Sequence, residues 1–168
     1  MKKFIKEWVY PVAVAVVVAL LINKLIIFKI YVPSESMFPT IKIGDQIFVT
    51  KLYNKSNIKR GDILVFYSEE LGDLLIKRVI GLPGEKVEVK ADGSVFVDDK
   101  KIEEPYVKNH SEKTGIFNVP QDNYLFLGDN RSNSRDSRYW KDPYIGKNDI
   151  KGKARIIVFP FDRFGFVK

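Results

Sequence analysis

Lys86-Val87-Glu88-Val89-Lys90-Ala91-Asp92-Gly93-Ser94-Val95-Phe96-Val97-Asp98 decides the fold class. Apolar and polar residues alternate on both sides of Ala91-Asp92-Gly93, the period of a strand with one covered face. The Asp-Gly centre is a turn signal that folds the two halves into a hairpin. The same period-two pattern recurs outward in both directions. It appears in Gln46-Ile47-Phe48-Val49-Thr50, Asp62-Ile63-Leu64-Val65-Phe66-Tyr67 and Leu74-Leu75-Ile76-Lys77-Arg78-Val79-Ile80. It resumes in Tyr124-Leu125-Phe126-Leu127 and Ala154-Arg155-Ile156-Ile157-Val158-Phe159. Gly44-Asp45, Arg60-Gly61-Asp62, Leu82-Pro83-Gly84 and Asp98-Asp99-Lys100-Lys101 punctuate these runs as turns. Residues 103–120 are polar and irregular. The fold class is all-β, with antiparallel sheets of short strands. Residues 83–120 are expected to form a small β annex inserted into the main sheet system.

One stretch breaks the pattern. Residues 8–22 are almost wholly apolar, and Leu25-Ile26-Ile27-Phe28 resumes the run after Asn23-Lys24. Read as one helix, residues 8–28 reach across a bilayer core of about 30 Å at about 1.5 Å per residue. Pro11 falls in the first turn, where proline is tolerated. Trp8 and Tyr10 suit one interface, and Lys24 can extend its stem toward headgroups at the other. A cleaved signal peptide has a similar outline, but its small-residue cleavage site should follow the apolar run. Ala13-Val14-Ala15 lies inside the run, so one uncleaved transmembrane anchor is expected. Lys2, Lys3 and Lys6 place residues 1–7 in the cytoplasm by the positive-inside rule. Residues 29–168 then form the extracytoplasmic domain of a single-pass membrane protein.

Composition excludes several chemistries. The chain has 168 residues, no cysteine and one histidine. Thiol nucleophiles, thiolate metal sites and disulfides are therefore ruled out. His110, in Lys108-Asn109-His110-Ser111, reads as an exposed loop residue, and a two-histidine metal site cannot be built within the chain. The net charge of +7 comes from basic residues scattered among acidic ones. No nucleic-acid-binding motif accompanies them. No metal, cofactor or nucleic acid is expected.

Three stretches are candidates for chemistry. Pro33-Ser34-Glu35-Ser36-Met37-Phe38-Pro39-Thr40 brackets two serines with prolines, which suggests a stiff, extended, non-helical segment. Such a segment can hold a reactive hydroxyl, and it reads equally as a polar connector. Lys77 and Arg78 point to opposite faces of one strand, and both faces carry aliphatic neighbours. At least one of these cations therefore sits among apolar side chains. Lys77 is either a rim residue with its head in water or a desolvated amine able to take a proton from a serine. Gly128-Asp129-Asn130-Arg131-Ser132-Asn133-Ser134-Arg135-Asp136-Ser137-Arg138 follows a strand and is dense in donors and acceptors. Arg131 and Trp140 stand where a calcium loop needs ligands. An anion nest and a self-ordering brace both remain open.

Taken together and in this order, these stretches resemble the bacterial type I signal peptidases, or leader peptidases, of the short one-anchor kind. Gly61-Asp62-Ile63-Leu64-Val65-Phe66 and Lys77-Arg78-Val79-Ile80-Gly81-Leu82-Pro83-Gly84 carry the resemblance along with the serine loop and residues 128–138. It implies Ser36 as nucleophile and Lys77 as general base. It implies Ser34 beside the Ser36 backbone N–H in the oxyanion hole, and Ser134 orienting the Lys77 amine. Arg78, Asp129, Asp136 and Arg138 match bracing positions. The implied function is removal of signal peptides from exported preproteins through an acyl-enzyme, with the preprotein and the lipid bilayer as partners. Small residues are implied at the first and third positions before the cut. A dedicated processing peptidase, for pilin precursors for example, and a non-catalytic membrane-anchored β binding domain are the alternatives. A self-cleaving repressor would need a DNA-binding helical N-terminus in place of the apolar run.

Overall fold

The computed structural model describes residue 3 and residues 5–168, without the side chains of residues 5, 19, 22, 23 and 24. Lys2 and the Lys24 side chain, both invoked for topology, lie outside the described residues. A short π-helical turn, Ile5–Val9, leads into helix α1, Tyr10–Leu25. The expected single helix over residues 8–28 ends early. The chain turns at Ile26 and enters strand β1, Ile27–Tyr31, which pairs antiparallel with β2, Gln46–Lys51. Ile and Phe have high strand propensity, and the free edge of β2 satisfies their backbone groups better than two more helical residues would. Among the described residues no helix is long and apolar enough to cross a membrane.

The remaining strands are β3 (Ile63–Ser68), β4 (Asp73–Gly81), β5 (Lys86–Val89), β6 (Val95–Val97), β7 (Lys100–Lys101) and β8 (Gly115–Asn118). They are followed by β9 (Asn123–Leu127), β10 (Tyr144–Gly146), β11 (Ile150–Phe159) and β12 (Gly165–Phe166). The larger sheet runs β1-β2-β11-β3-β4-β9-β10, with β12 on β11. The smaller sheet runs β7-β6-β5-β8 and is built wholly from residues 86–118. Every pairing is antiparallel.

The opening hairpin pairs Val87 with Val97 and Val89 with Val95, and all four valines are buried. Gly93 takes φ 82° at its turn, where a Cβ would be strained. Asp98 and Asp99 take φ 47° and 62° and close β6 onto β7 in two residues, which requires left-handed backbone at both. Residues 115–118, expected as irregular, instead add β8 to the outer side of β5.

Three apolar clusters hold these layers together. One gathers Val32, Met37, Ile41, Ile47, Val49 and neighbours beneath the serine loop. The second centres on Leu64, Phe66, Val79, Phe126 and Trp140. The third joins Ile80, Leu125 and Leu127 of the larger sheet to Val87, Val89, Val95 and Val97 of the smaller. This third cluster fixes the small sheet against the strands that carry the candidate site.

Candidate active site

Strand β4 runs between β3 and β9, with Leu64 opposite Lys77 and Ile63 opposite Arg78. Its side chains alternate as the sequence predicts: Leu75 and Val79 belong to the second cluster, Ile76 to the first. Lys77 is 4% exposed and Arg78 3%. Arg78 also pairs with Leu127, the last residue of β9. That register delivers residues 128–138 beside both cations.

Pro33-Ser34-Glu35-Ser36-Met37-Phe38-Pro39-Thr40 is non-helical, as expected, but turned rather than extended. Proline fixes only φ, and local bonds close the loop: Phe38 N–H donates to the Glu35 carbonyl at 2.9 Å and Ile41 N–H to the Met37 carbonyl at 2.9 Å. Met37 and Ile41 are fully buried below it. The loop is anchored from above by Asn130, whose N–H donates to the Ser36 carbonyl at 3.1 Å and whose Nδ2 donates to the Glu35 carbonyl at 3.1 Å.

Ser36 Oγ and Lys77 Nζ are hydrogen-bonded at 2.6 Å. Ser36 is buried, and Ser34, largely exposed, brings its Oγ to 3.4 Å from Ser36 Oγ. Burial pulls the Lys77 amine down from 10.5 to about 8, against the opposing pull of Asp136 and then Asp129. Desolvation outweighs two carboxylates because each is already engaged by an arginine.

Those pairs are buried. Asp129 receives Arg78 Nε at 2.8 Å and Nη2 at 2.6 Å, and accepts from Thr40 Oγ1 at 2.5 Å. Asp136 receives Arg138 Nε and Nη2, each at 2.8 Å, and accepts the Gly128 N–H at 2.9 Å. Both carboxylates are inaccessible to solvent. Removing one partner of such a pair strands a buried charge at a cost of about 3–5 kcal/mol.

Ser134 is buried close to this centre. A Cβ on Gly128 would collide with both Ser134 Oγ and the Ser36 carbonyl oxygen, so glycine permits their convergence. The bond expected from the Lys77 amine to Ser134 is not formed. Ser134 Oγ has no partner among the described residues, and Lys77 is directed to Ser36. A buried hydroxyl left unpaired is unfavourable, and a catalytic role is one physical reason for keeping it.

The sequence reading missed Glu104. It lies in the stretch read as irregular, yet it binds Arg131 through two hydrogen bonds of 2.6 and 3.0 Å. Glu104 and Arg131 are separated by 27 residues, and no periodic signal connects them. His110 is exposed, as expected. Among the described residues no group of acidic or histidine side chains is placed to hold a metal.

A buried serine hydrogen-bonded to a desolvated lysine, on a β scaffold, is the arrangement of a serine hydrolase with a lysine base. Residues 5–159 match the family model described as "Signal peptidase, peptidase S26", and the chain belongs to that family. It is 38% identical to signal peptidase I of Leptolyngbya laminosa over 95% of this chain and 82% of the relative. It is 37% identical to signal peptidase IB of Staphylococcus aureus (strain COL) over 98% of this chain and 94% of the relative. A crystal structure of a signal peptidase I from Enterococcus faecalis V583 is similar at a TM-score of 0.49 and 31% identity, covering 58% of this chain and 96% of that one.

Proposed function

We propose that this chain is a membrane-anchored endopeptidase that removes signal peptides from exported preproteins, with Ser36 as nucleophile and Lys77 as base. The carrying observation is the 2.6 Å contact between a buried hydroxyl and a buried amine whose proton is loosened by desolvation. The neutral amine takes the Ser36 proton as Oγ attacks the scissile carbonyl. Charge develops on the carbonyl oxygen, and the Ser36 N–H and Ser34 Oγ are the donors for it; one such donor is worth about 3 kcal/mol. Lys77 then protonates the departing amine and is neutral again. It takes a proton from a water that attacks the acyl carbonyl, and the bond to Ser36 Oγ breaks. Lys77 returns the proton to Oγ, and the signal peptide leaves with a new C-terminal carboxyl group. The test is incubation of the purified protein with a preprotein and N-terminal sequencing of the product. A new N-terminus at the signal-peptide boundary is expected, and an intact preprotein counts against the reading.

Ser134 is assigned to hold the amine after it has taken the proton, when Lys77 no longer needs Ser36 as its only partner. One hydrogen bond to a cation is worth about 1.5–3 kcal/mol. Ser134→Ala is therefore expected to lower kcat about 10- to 100-fold, less than loss of Ser36. Wild-type kinetics in this variant would remove Ser134 from the site.

The anchor is the segment at residues 5–25. Val12, Val17 and Val18, which lie on different sides of α1, are 60%, 55% and 47% exposed. A helix that is apolar on every side suits a lipid environment. The preceding π-helical turn adds length to α1, and Lys3 and Lys6 flank its start. The catalytic domain then lies on the extracytoplasmic side, close to the bilayer. The position of β1 sets where a truncation should fall. Removal of residues 1–25 spares the strand that pairs with β2. This variant is expected to lose far more activity on membrane-inserted preproteins than on a short soluble peptide, and equal loss on both would contradict the anchor's role.

A further inference from the structure

The segment from Glu104 to Asn109 leaves the small sheet and lies against both halves of the candidate site. Glu104 has a side chain only 8% exposed and takes Arg131 in a two-bond pair. Arg131 is 2% exposed and is committed elsewhere as well. Its Nε donates to the Gly128 carbonyl at 2.9 Å, and its own carbonyl accepts Arg138 Nη2 at 2.8 Å. Tyr106 lays its ring over the Arg78 guanidinium at 3.8 Å and donates its hydroxyl to Glu104 at 2.9 Å. Asn109 Nδ2 donates to Asn130 Oδ1 at 3.0 Å, and the Asn109 carbonyl accepts the Ser132 N–H at 3.3 Å.

These bonds form a connected path. Glu104 holds Arg131, Arg131 holds Gly128, and Gly128 is where Ser134 and the Ser36 carbonyl converge. Tyr106, hydrogen-bonded to Glu104, reaches from there to Arg78, the neighbour of Lys77 on β4. Arg131 would be a buried, uncompensated cation without Glu104, because no other carboxylate pairs with it among the described residues. An arginine in that position would seek water and carry the Gly128 carbonyl with it. Burial, and next the negative charge of Glu104, push the Tyr106 phenol above its ordinary value, so it stays a donor to that carboxylate.

We infer that Glu104 is a positioning residue for the peptidase reaction: through Arg131 and Tyr106 it fixes the 128–138 loop and Arg78, and so holds Ser36, Lys77 and Ser134 in register. It touches none of the reacting atoms. The small sheet is thereby tied to catalysis by the strap that leaves it, in addition to its apolar contact with β4 and β9. This inference rests on the Ser36–Lys77 reading given above.

The test is steady-state kinetics of the full-length protein on a short soluble peptide, for Glu104→Ala, Glu104→Gln and Tyr106→Phe beside Ser36→Ala and Lys77→Arg. Glutamine keeps an acceptor oxygen for Arg131 and Tyr106, and phenylalanine keeps the ring over Arg78 while deleting the bond to Glu104. Glu104→Ala is expected to lower kcat at least tenfold with KM within about threefold of wild type, as displacement of the reacting groups requires. Glu104→Gln should recover part of that loss, and Tyr106→Phe should lose less than Glu104→Ala. Folded Glu104→Ala with wild-type kcat overturns the inference, and so does a loss confined to KM. Should Glu104→Ala fail to fold, Glu104→Gln decides: lowered kcat in a folded protein supports the role, and wild-type kcat overturns it. Inactive Ser36→Ala and Lys77→Arg beside a fully active Glu104→Ala would sink the strap alone. Activity retained in the first two would sink the dyad on which it rests.

Discussion

Ser36→Ala is expected to abolish preprotein cleavage, by at least about 10³-fold, while leaving the β domain folded. The size follows from the role: without the nucleophile only binding and the oxyanion donors remain. Retention of the fold follows from what holds the loop. Asn130 binds the main-chain carbonyls of Glu35 and Ser36, and the Phe38–Glu35 and Ile41–Met37 bonds are also main-chain. None of these needs the hydroxyl. The methyl side chain leaves Lys77 Nζ without its Ser36 partner, a cost of about 1–3 kcal/mol that the unpaired Ser134 hydroxyl nearby can offset. Mass spectrometry of the preprotein after incubation with the purified variant is the measurement. Normal product would transfer the nucleophile's role elsewhere.

The parts of this site legible in sequence are those set by short-range rules. Period-two alternation placed β2, β5 and β6, each with one covered face, while β3, β4 and β9 showed as short apolar runs between turns and are buried on both faces. The same rule put Lys77 and Arg78 on opposite faces of one strand, and both are buried. β1 was hidden because Ile27 and Phe28 continue an apolar run without a turn residue. Their fate depends on the edge of β2, which sequence periodicity does not reveal. β8 was hidden because its pattern covers four residues and leaves Ile116 63% exposed. Individual pairings differ in the same way. Arg138 finds Asp136 two residues away, while Arg131 bypasses both nearby aspartates for Glu104. Asp129 and Asp136 are already saturated by Arg78, Arg138, Thr40 and the main-chain N–H groups of Gly128 and Arg138, so the third arginine needs a carboxylate from the strap. That competition exists only once the strands are in register.

Lys77→Arg separates the base from its charge. Arginine retains the cation and stays protonated at any working pH. If Lys77 acts as a neutral amine, Lys77→Arg should be as inactive as Lys77→Met, which preserves length and removes the charge. The pH dependence has a definite sign. The folded amine titrates at about 8 against 10.5 for a free lysine, so the neutral form, and with it kcat/KM, should rise as pH passes through about 8. Stability follows the same proton. Below about 8 both the folded and the unfolded chain carry it, and folding must desolvate the charge at a cost of about 3 kcal/mol. Between about 8 and 10.5 the unfolded chain binds more protons than the folded one, so this contribution to stability rises with pH. Lys77→Met escapes the cost altogether and should melt above wild type at pH 7, whereas Lys77→Arg, which cannot shed its charge, should fall below wild type only as pH rises above about 8, where the wild-type amine becomes neutral. Circular dichroism establishes that both variants are folded at the assay temperature, and peptide turnover is then read from pH 6 to 10. A folded Lys77→Arg with a substantial fraction of wild-type turnover would mean that the site requires a positive charge at 77, and the neutral-lysine mechanism would be wrong. Inactive variants beside a wild-type profile that rises through about 8 would place the working proton on Lys77.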